Sequence, residues 1–213
     1  MNSVYKFILE EYGYDEPVFT KELKKNINIS DGTLRQNLKR LSDKGALIKV
    51  RDGIYYVQKA DSILQKPRVN IDKVIRRKYI KTIDQNVIGY ISGINFANQL
   101  GLTSQTASVS TIVTNETGRP EHVIMFDKKK VKLKKSKVKI TNQNYKILQI
   151  LDLLNSLDQV SEISLESSIR LINNYLKNTN ITINDLKPYI KFYPRKTLEN
   201  LLEMELYNEP AQA

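Results

Sequence analysis

The 213-residue chain has no cysteine, no tryptophan and a single histidine, His122. Without cysteine there can be no disulfide, no thiolate nucleophile and no Cys-ligated zinc or iron–sulfur site. One histidine excludes a His-rich metal centre and leaves little material for Ser-His-Asp chemistry. No apolar run approaches the roughly 18 residues a membrane span needs. The opening MNSVYKFILEEYGY lacks a signal-peptide layout, so a cytoplasmic protein with no membrane partner is expected. Glycine-rich phosphate loops, dinucleotide fingerprints and metal-binding His pairs are missing as well, so neither catalysis nor a cofactor is expected. Acid is scarce beside base: 23 Asp+Glu stand against 34 Lys+Arg, a net charge of +11.

What is present suits a globular chain with a real core, since hydrophobic residues make up 40% and charged residues 27%. The length allows one large domain or two small ones. The basic excess is concentrated. Residues 1–60 carry 11 basic and 8 acidic side chains, a net of +3. Residues 61–140 carry 16 and 6, a net of +10, and residues 141–213 carry 7 and 9, a net of −2. A field concentrated in this way attracts nucleic acid or an acidic protein surface more than a diffuse one does.

The first sixty residues read as three helices and a hairpin. Val4, Phe7, Ile8 and Leu9 give the first helix its apolar stripe, with Gly13 placed to end it. A short helix begins at Phe19-Thr20 and runs through Leu23 and Lys24, with Thr20 as its expected cap. Ser30 is the expected cap of a further helix running to about Asp43, in which Leu34, Leu38 and Leu41 step by four and three along one face. Gly45 stands where such a helix ends. ALIKV and IYYVQ then flank Arg51-Asp52-Gly53, and Asp-Gly between alternating apolar residues signals a hairpin. This order is that of a winged helix-turn-helix.

Residues 61–69 (DSILQKPRV) read as a linker, with Pro67 blocking any helix. A basic helix follows, with Val74, Ile75 and Tyr79 as its apolar side. GYISG leads into a helix over INFANQLGLT, where Ser92 is the expected cap, Phe96 and Leu100 share a face and Gly101 is the stop. SVSTIVTN and EHVIMF read as strands from their β-branched content. Eight lysines and no acid lie between Lys128 and Lys139, and the alternation in KVKLK predicts a strand with one buried face. From Asn144 onward the pattern is helical, with stripes of Leu148, Leu151, Leu154 and of Ile169, Ile172, Leu176. A last helix after Pro194 is expected to bury Leu198, Leu201 and Leu202. The predicted class is α+β: a winged helix-turn-helix at 1–60, a linker at 61–69, and a mixed α/β domain at 70–213 that is mostly helical from 141.

If Leu34, Leu38 and Leu41 are buried, the opposite helix face presents Arg35, Gln36 and Lys39, with Thr33 and Arg40 at its margins. Gln pairs bidentately with adenine and Arg with guanine, while Lys39 and Arg40 suit phosphates. Lys49 and Arg51 on the hairpin could reach the adjacent backbone or minor groove. The competing reading is a module for protein contact whose charged face is simply solvated. The lysine run, with Lys130, Lys132, Lys134 and Lys137, could contact phosphates or dock an acidic or nucleotide-binding partner; alternatively, it protects a sheet edge from pairing. Arg76 and Arg77 extend this basic set. Glu22-Leu23-Lys24 and Asp185-Leu186-Lys187 have the acid-x-Lys spacing of metal-dependent nucleases, but in so lysine-rich a chain such triplets arise by chance. Ser92 has no identifiable base for a nucleophilic role.

The stretches FTKELKKNINISDGTLRQNLKRLSDKGALIKVRDGIYYV and GYISGINFANQLGLTSQTASVSTIVTNE together resemble the AbiEi family of antitoxins. The resemblance covers about residues 3–155 and is most specific over 89–115, in YISG, the small-residue helix ending LGLT, and IVTN. It implies a winged-helix regulator paired with a nucleotidyltransferase toxin in an abortive-infection system. Its N-terminal domain would bind double-stranded operator DNA and repress its operon through Thr33, Arg35, Gln36, Lys39, Arg40 and Arg51. The segment 66–213 would neutralise the toxin, with no single residues assigned. A regulator or replication-initiator-like protein of a mobile element, without a toxin, is the alternative.

Overall fold

The computed structural model describes residues 3–57 and 69–207. The chain divides into two compact units, Met1–Arg77 and Lys78–Ala213. All but Val69 of the segment read as a linker lies outside the described residues, and the division falls later than that segment, after Arg77.

In the first unit the elements are α1 (Ser3–Tyr12), β1 (Pro17–Phe19), α2 (Thr20–Asn26), α3 (Asp31–Asp43), β2 (Leu47–Arg51), β3 (Ile54–Val57) and most of α4 (Ile71–Tyr79). Val4, Ile8, Leu23, Leu34, Leu38 and Leu41 are buried from the helices, and Leu47, Ile54 and Val57 from the strands. The strands pair antiparallel in the order β1-β3-β2. Gly53, with φ of 72°, makes the turn between β2 and β3 in a conformation that other residues reach at a cost.

Two local expectations needed correction here. Thr20 is the first helical residue of α2 rather than its cap: Phe19 holds that position and no side chain caps the helix. The Thr20 N–H donates to the Gly53 carbonyl at 2.9 Å, so it is satisfied from the hairpin. The strand β1, absent from the sequence reading, supplies three buried residues through its pairing with β3. Ser30 does cap α3, its hydroxyl accepting from the Thr33 N–H at 3.2 Å.

The second unit contains β4 (Gly89–Ser92), α5 (Ile94–Gln99), β5 (Ser110–Thr114), β6 (Glu121–Phe126), β7 (Lys129–Lys135), α6 (Tyr145–Asn155), α7 (Leu157–Val160), α8 (Leu165–Asn178), α9 (Ile183–Ile190) and α10 (Arg195–Leu206). Its sheet has the order β4-β5-β7-β6, with β5 and β7 parallel and the other pairs antiparallel. The helices close a core of Phe96, Leu102, Ile150, Leu151, Leu154, Ile169, Ile172, Leu176, Leu186, Leu201 and Met204. No helix among the described residues is long and apolar enough to cross a membrane. The overall class is α+β, as expected.

Three expectations change in this unit. Ser92 ends β4 as a buried residue, and Gly93, with φ of 64°, holds the N-cap of α5. A left-handed turn is required at that point, and glycine supplies it more cheaply than serine. α10 buries Thr197, Leu201 and Met204, whereas Leu198 and Leu202 are 40% and 48% exposed. On the face the helix turns inward, Thr197 donates to the Asn155 side chain at 3.1 Å. Finally, β7 is an interior strand between β5 and β6, so its lysines do not guard a sheet edge.

Candidate functional site

The outward face of α3 is built by the leucine stripe on its other side. With Leu34, Leu38 and Leu41 against the core, Thr33, Arg35, Gln36, Lys39 and Arg40 are all exposed. The side chains of Arg35, Gln36, Lys39 and Arg40 have no hydrogen bond or ion pair among the described residues. They are solvated donors on one helix surface, which is what groove binding requires. Thr33 differs. Its hydroxyl lies 2.8 Å from the Ser30 hydroxyl at the helix start, so the cap already employs it. Near the same terminus Asp31 pairs with Lys24, which holds the Asp31 carboxyl below its usual range through that hydrogen bond. Asp31 thus puts acid at the start of α3, while the base-rich part of the helix starts at Arg35.

On the hairpin, Lys49 and Arg51 are both exposed. Lys49 pairs with Asp52 at 2.8 Å, which raises the ammonium pKa and lowers that of the carboxyl. Any phosphate contact by Lys49 must therefore compete with a neighbouring carboxylate.

The two arginines of α4 separate. Arg76 is exposed. Arg77 is turned inward, with its side chain 14% exposed, 3.3 Å from Glu22 and 5.8 Å from the centre of the Phe19 ring. Its guanidinium belongs to the packing of the first unit and does not contribute to an outer basic surface. Glu22 and Lys24 consequently serve different partners, Arg77 and Asp31. Asp185 and Lys187 are likewise divided: Asp185 accepts from the Thr182 N–H at 2.8 Å at the start of α9, and Lys187 pairs with Glu205 at 2.7 Å. Neither acid-x-Lys triplet acts as a unit.

The lysines of β7 form a separate, concave site in the second unit. Register places Ser92, Thr111 and Lys132 in one row across β4, β5 and β7, and Tyr90, Val113 and Lys134 in the next. Paired residues share a sheet face. Glu121 of β6 lies opposite Lys134 and takes both amines, at 3.0 Å from Lys132 and 3.3 Å from Lys134, so those hydrogen bonds hold its carboxyl below the usual range. Facing this floor are Asp152 and Asn155 near the end of α6 and Ser156 and Gln159 around α7. Together they bound a cavity of about 300 Å³, to which Lys135 and Lys137 also contribute. Lys130 is on the same strand but does not line the cavity.

Asp152 is the anchor of the opposite wall. It accepts from the Tyr90 hydroxyl at 2.7 Å, and Tyr193 is its second phenolic partner. Burial raises the Asp152 carboxyl pKa, opposed by the Tyr90 hydrogen bond and by the charge of Lys137. Burial also raises both phenols, and the Asp152 charge adds to this. Lys137 lies over the Tyr193 ring at 3.9 Å and is lowered by burial, with Asp152 acting in the other direction. Sequence reasoning missed Asp152, Tyr90, Thr111 and Tyr193. A signal existed for the first: an acid inside YKILQILDLLN, a helix that buries residues almost all round and can hold a carboxylate there only with partners.

His122 is the second residue of β6, opposite Leu133, and its Nδ1 is buried without a hydrogen-bond partner. No group of three or more His, Cys, Asp or Glu side chains among the described residues is arranged to hold a metal ion.

Residues 22–183 match the family described as "Family of unknown function (DUF6088)". No curated protein matches the chain.

Proposed function

We propose that this chain, which belongs to the DUF6088 family, is a cytoplasmic DNA-binding regulator that reads duplex operator DNA through a winged helix-turn-helix and represses its own operon. The observation that carries the reading is the outward face of α3, where Arg35, Gln36, Lys39 and Arg40 are exposed, with no side-chain hydrogen bond or ion pair among the described residues, above a buried leucine stripe. The order of three helices and a hairpin-bearing antiparallel sheet supports the same reading, with α3 as the helix that enters the major groove. Lys39 and Arg40 neutralise phosphates, and Arg35 and Gln36 supply bidentate base contacts. Arg51 on the hairpin adds a backbone or minor-groove contact. The second unit carries the antitoxin role implied by the resemblance, neutralising a nucleotidyltransferase toxin.

The test is fluorescence anisotropy of the full chain on the duplex upstream of its own reading frame and on a random duplex, across a salt series. Arg35→Ala with Gln36→Ala is expected to erase the preference for the upstream duplex while much salt-sensitive binding persists. Lys39→Gln with Arg40→Gln is expected to weaken both duplexes and to flatten the salt slope by about 0.9 per lost phosphate contact. Unchanged affinity in both double variants would remove α3 as the reading element.

A further inference from the structure

The cavity in the second unit has a composition that DNA reading does not use. Four lysines, Lys132, Lys134, Lys135 and Lys137, line it; one carboxylate, Glu121, is shared by two of them, and a second, Asp152, stands opposite. Lys135 has the strand parity of Val131 and Leu133, so the three amines of Lys132, Lys134 and Lys137 against two carboxylates leave a local charge of +1. Lys132 and Lys134, on an interior strand where they contribute nothing to edge protection, share the single carboxylate of Glu121, so the pair has room for a further counter-charge. The hydroxyls of Ser92 and Thr111 lie around the same space as donors, whereas that of Ser156 already donates to the Asp152 backbone carbonyl at 3.1 Å. Opposite them, Asp152, Asn155 and Gln159 offer a carboxylate and two amides suited to sugar hydroxyls and base edges.

We propose that this cavity binds a phosphomonoester carried on a sugar, with the size and chemistry of a mononucleotide or a sugar phosphate. The phosphate sits over Lys132 and Lys134, where it displaces or shares Glu121, and receives hydrogen bonds from Thr111 and Ser92. Lysine serves as a point charge for such dianions. The sugar hydroxyls face Asp152, which the Tyr90 hydroxyl holds in place at 2.7 Å. The volume of about 300 Å³ is at the small end for ligand sites and admits one such molecule, not a dinucleotide or a duplex. The site is independent of the α3 surface, because every residue lining it belongs to the second unit.

The experiment uses the full chain, with AMP, ribose 5-phosphate and inorganic phosphate as probes in calorimetry at low salt. AMP or ribose 5-phosphate is expected to bind more tightly than inorganic phosphate. Affinity should fall about tenfold or more in the Lys132→Gln, Lys134→Gln double variant, which loses two charge-assisted contacts. Lys130→Gln should bind as the unaltered chain does. Asp152→Asn should weaken the sugar-bearing probes relative to inorganic phosphate, which should bind at least as tightly because a nearby negative charge is removed. A readout in the unaltered chain stands beside the variants: AMP should protect Lys132 and Lys134 from amine acetylation, read by mass spectrometry, and leave Lys130 labelled. No heat with any probe, or equal labelling of the three lysines with and without AMP, would overturn the proposal. Protection by a DNA duplex but not by AMP would overturn it in favour of a nucleic-acid surface. Loss of operator preference in Arg35→Ala with Gln36→Ala, with AMP binding intact, would separate this site from the α3 reading.

Discussion

Breaking the Arg77–Glu22 pair should cost the first unit more stability than any exposed ion pair in the molecule. The two charged groups stand 3.3 Å apart with side chains 14% and 24% exposed. At that separation the Coulomb attraction is about 5 kcal/mol for an effective dielectric near 20, before the loss of hydration that offsets most of it. Glu22→Gln leaves the guanidinium unpaired in a largely dry place over Phe19, where its Nη1 already lacks a hydrogen-bond partner. That change should cost about 2–3 kcal/mol. Arg77→Met should cost less, about 1–2 kcal/mol, because the methionine stem keeps the packing on Phe19 and Glu22 retains its hydrogen bond with the Tyr12 hydroxyl. The double variant should then cost no more than Glu22→Gln alone, a coupling of about 1–2 kcal/mol. Hydrogen exchange read by mass spectrometry on peptides spanning β1 and α2 measures these costs within the first unit of the intact chain. Additive single costs would show that the two groups do not interact, leaving α4 held by its apolar side and by the Lys73 contacts with Glu16 and the Asp15 carbonyl.

Two further outcomes follow from other contacts. Gly89→Ala should destabilise the second unit by more than about 3 kcal/mol on urea unfolding, because a Cβ there would stand 2.0 Å from the Tyr79 carbonyl oxygen and 2.7 Å from that of Val113. Glu162 is held down to about 2, chiefly by the Ser104 N–H at 2.8 Å and then by the Thr103 and Gln105 side chains. Its folded pKa lies below its unfolded value near 4.5, so its stabilising effect is full above that value and is lost as pH falls toward 2. Exchange protection of the Ser104 amide should fall over that window and be largely insensitive to it in Glu162→Gln.

The N-terminal helices were legible because two independent signals agree there. The leucine step in α3 and the Ser30 hydroxyl at its start both act within a few residues of chain. β1 was not legible: Pro17-Val18-Phe19 is too short to show a period, and it is a strand only because β3 supplies its partners. α10 offered two competing stripes. Leu198 and Leu202 are more apolar than Thr197, yet Asn155, 42 residues away, gives Thr197 a partner that no local pattern reveals. The same limit governed the cavity. The alternation of KVKLK located the lysine face, but the interior position of β7 depends on parallel pairing with β5, and Asp152 reaches that face only through the packing of α6. On α3 the sequence identified the outward residues while leaving Thr33 unresolved between base contact and cap.

The interior position of β7 also bears on how the sheet chooses its alignment. Val131 and Leu133 are buried on one side of the strand, while Lys130, Lys132 and Lys134 occupy the other. Sliding the strand by one residue against β5 and β6 would exchange these sets and push three ammonium groups into the apolar layer. A misaligned sheet is therefore heavily penalised by charge, and the correct one is selected even though β5 and β7 are separated in the chain by β6 and must find each other across it. Substituting the lysines with apolar residues would remove that penalty, and the expected defect is slipped or heterogeneous strand pairing, with partner binding lost as a secondary effect.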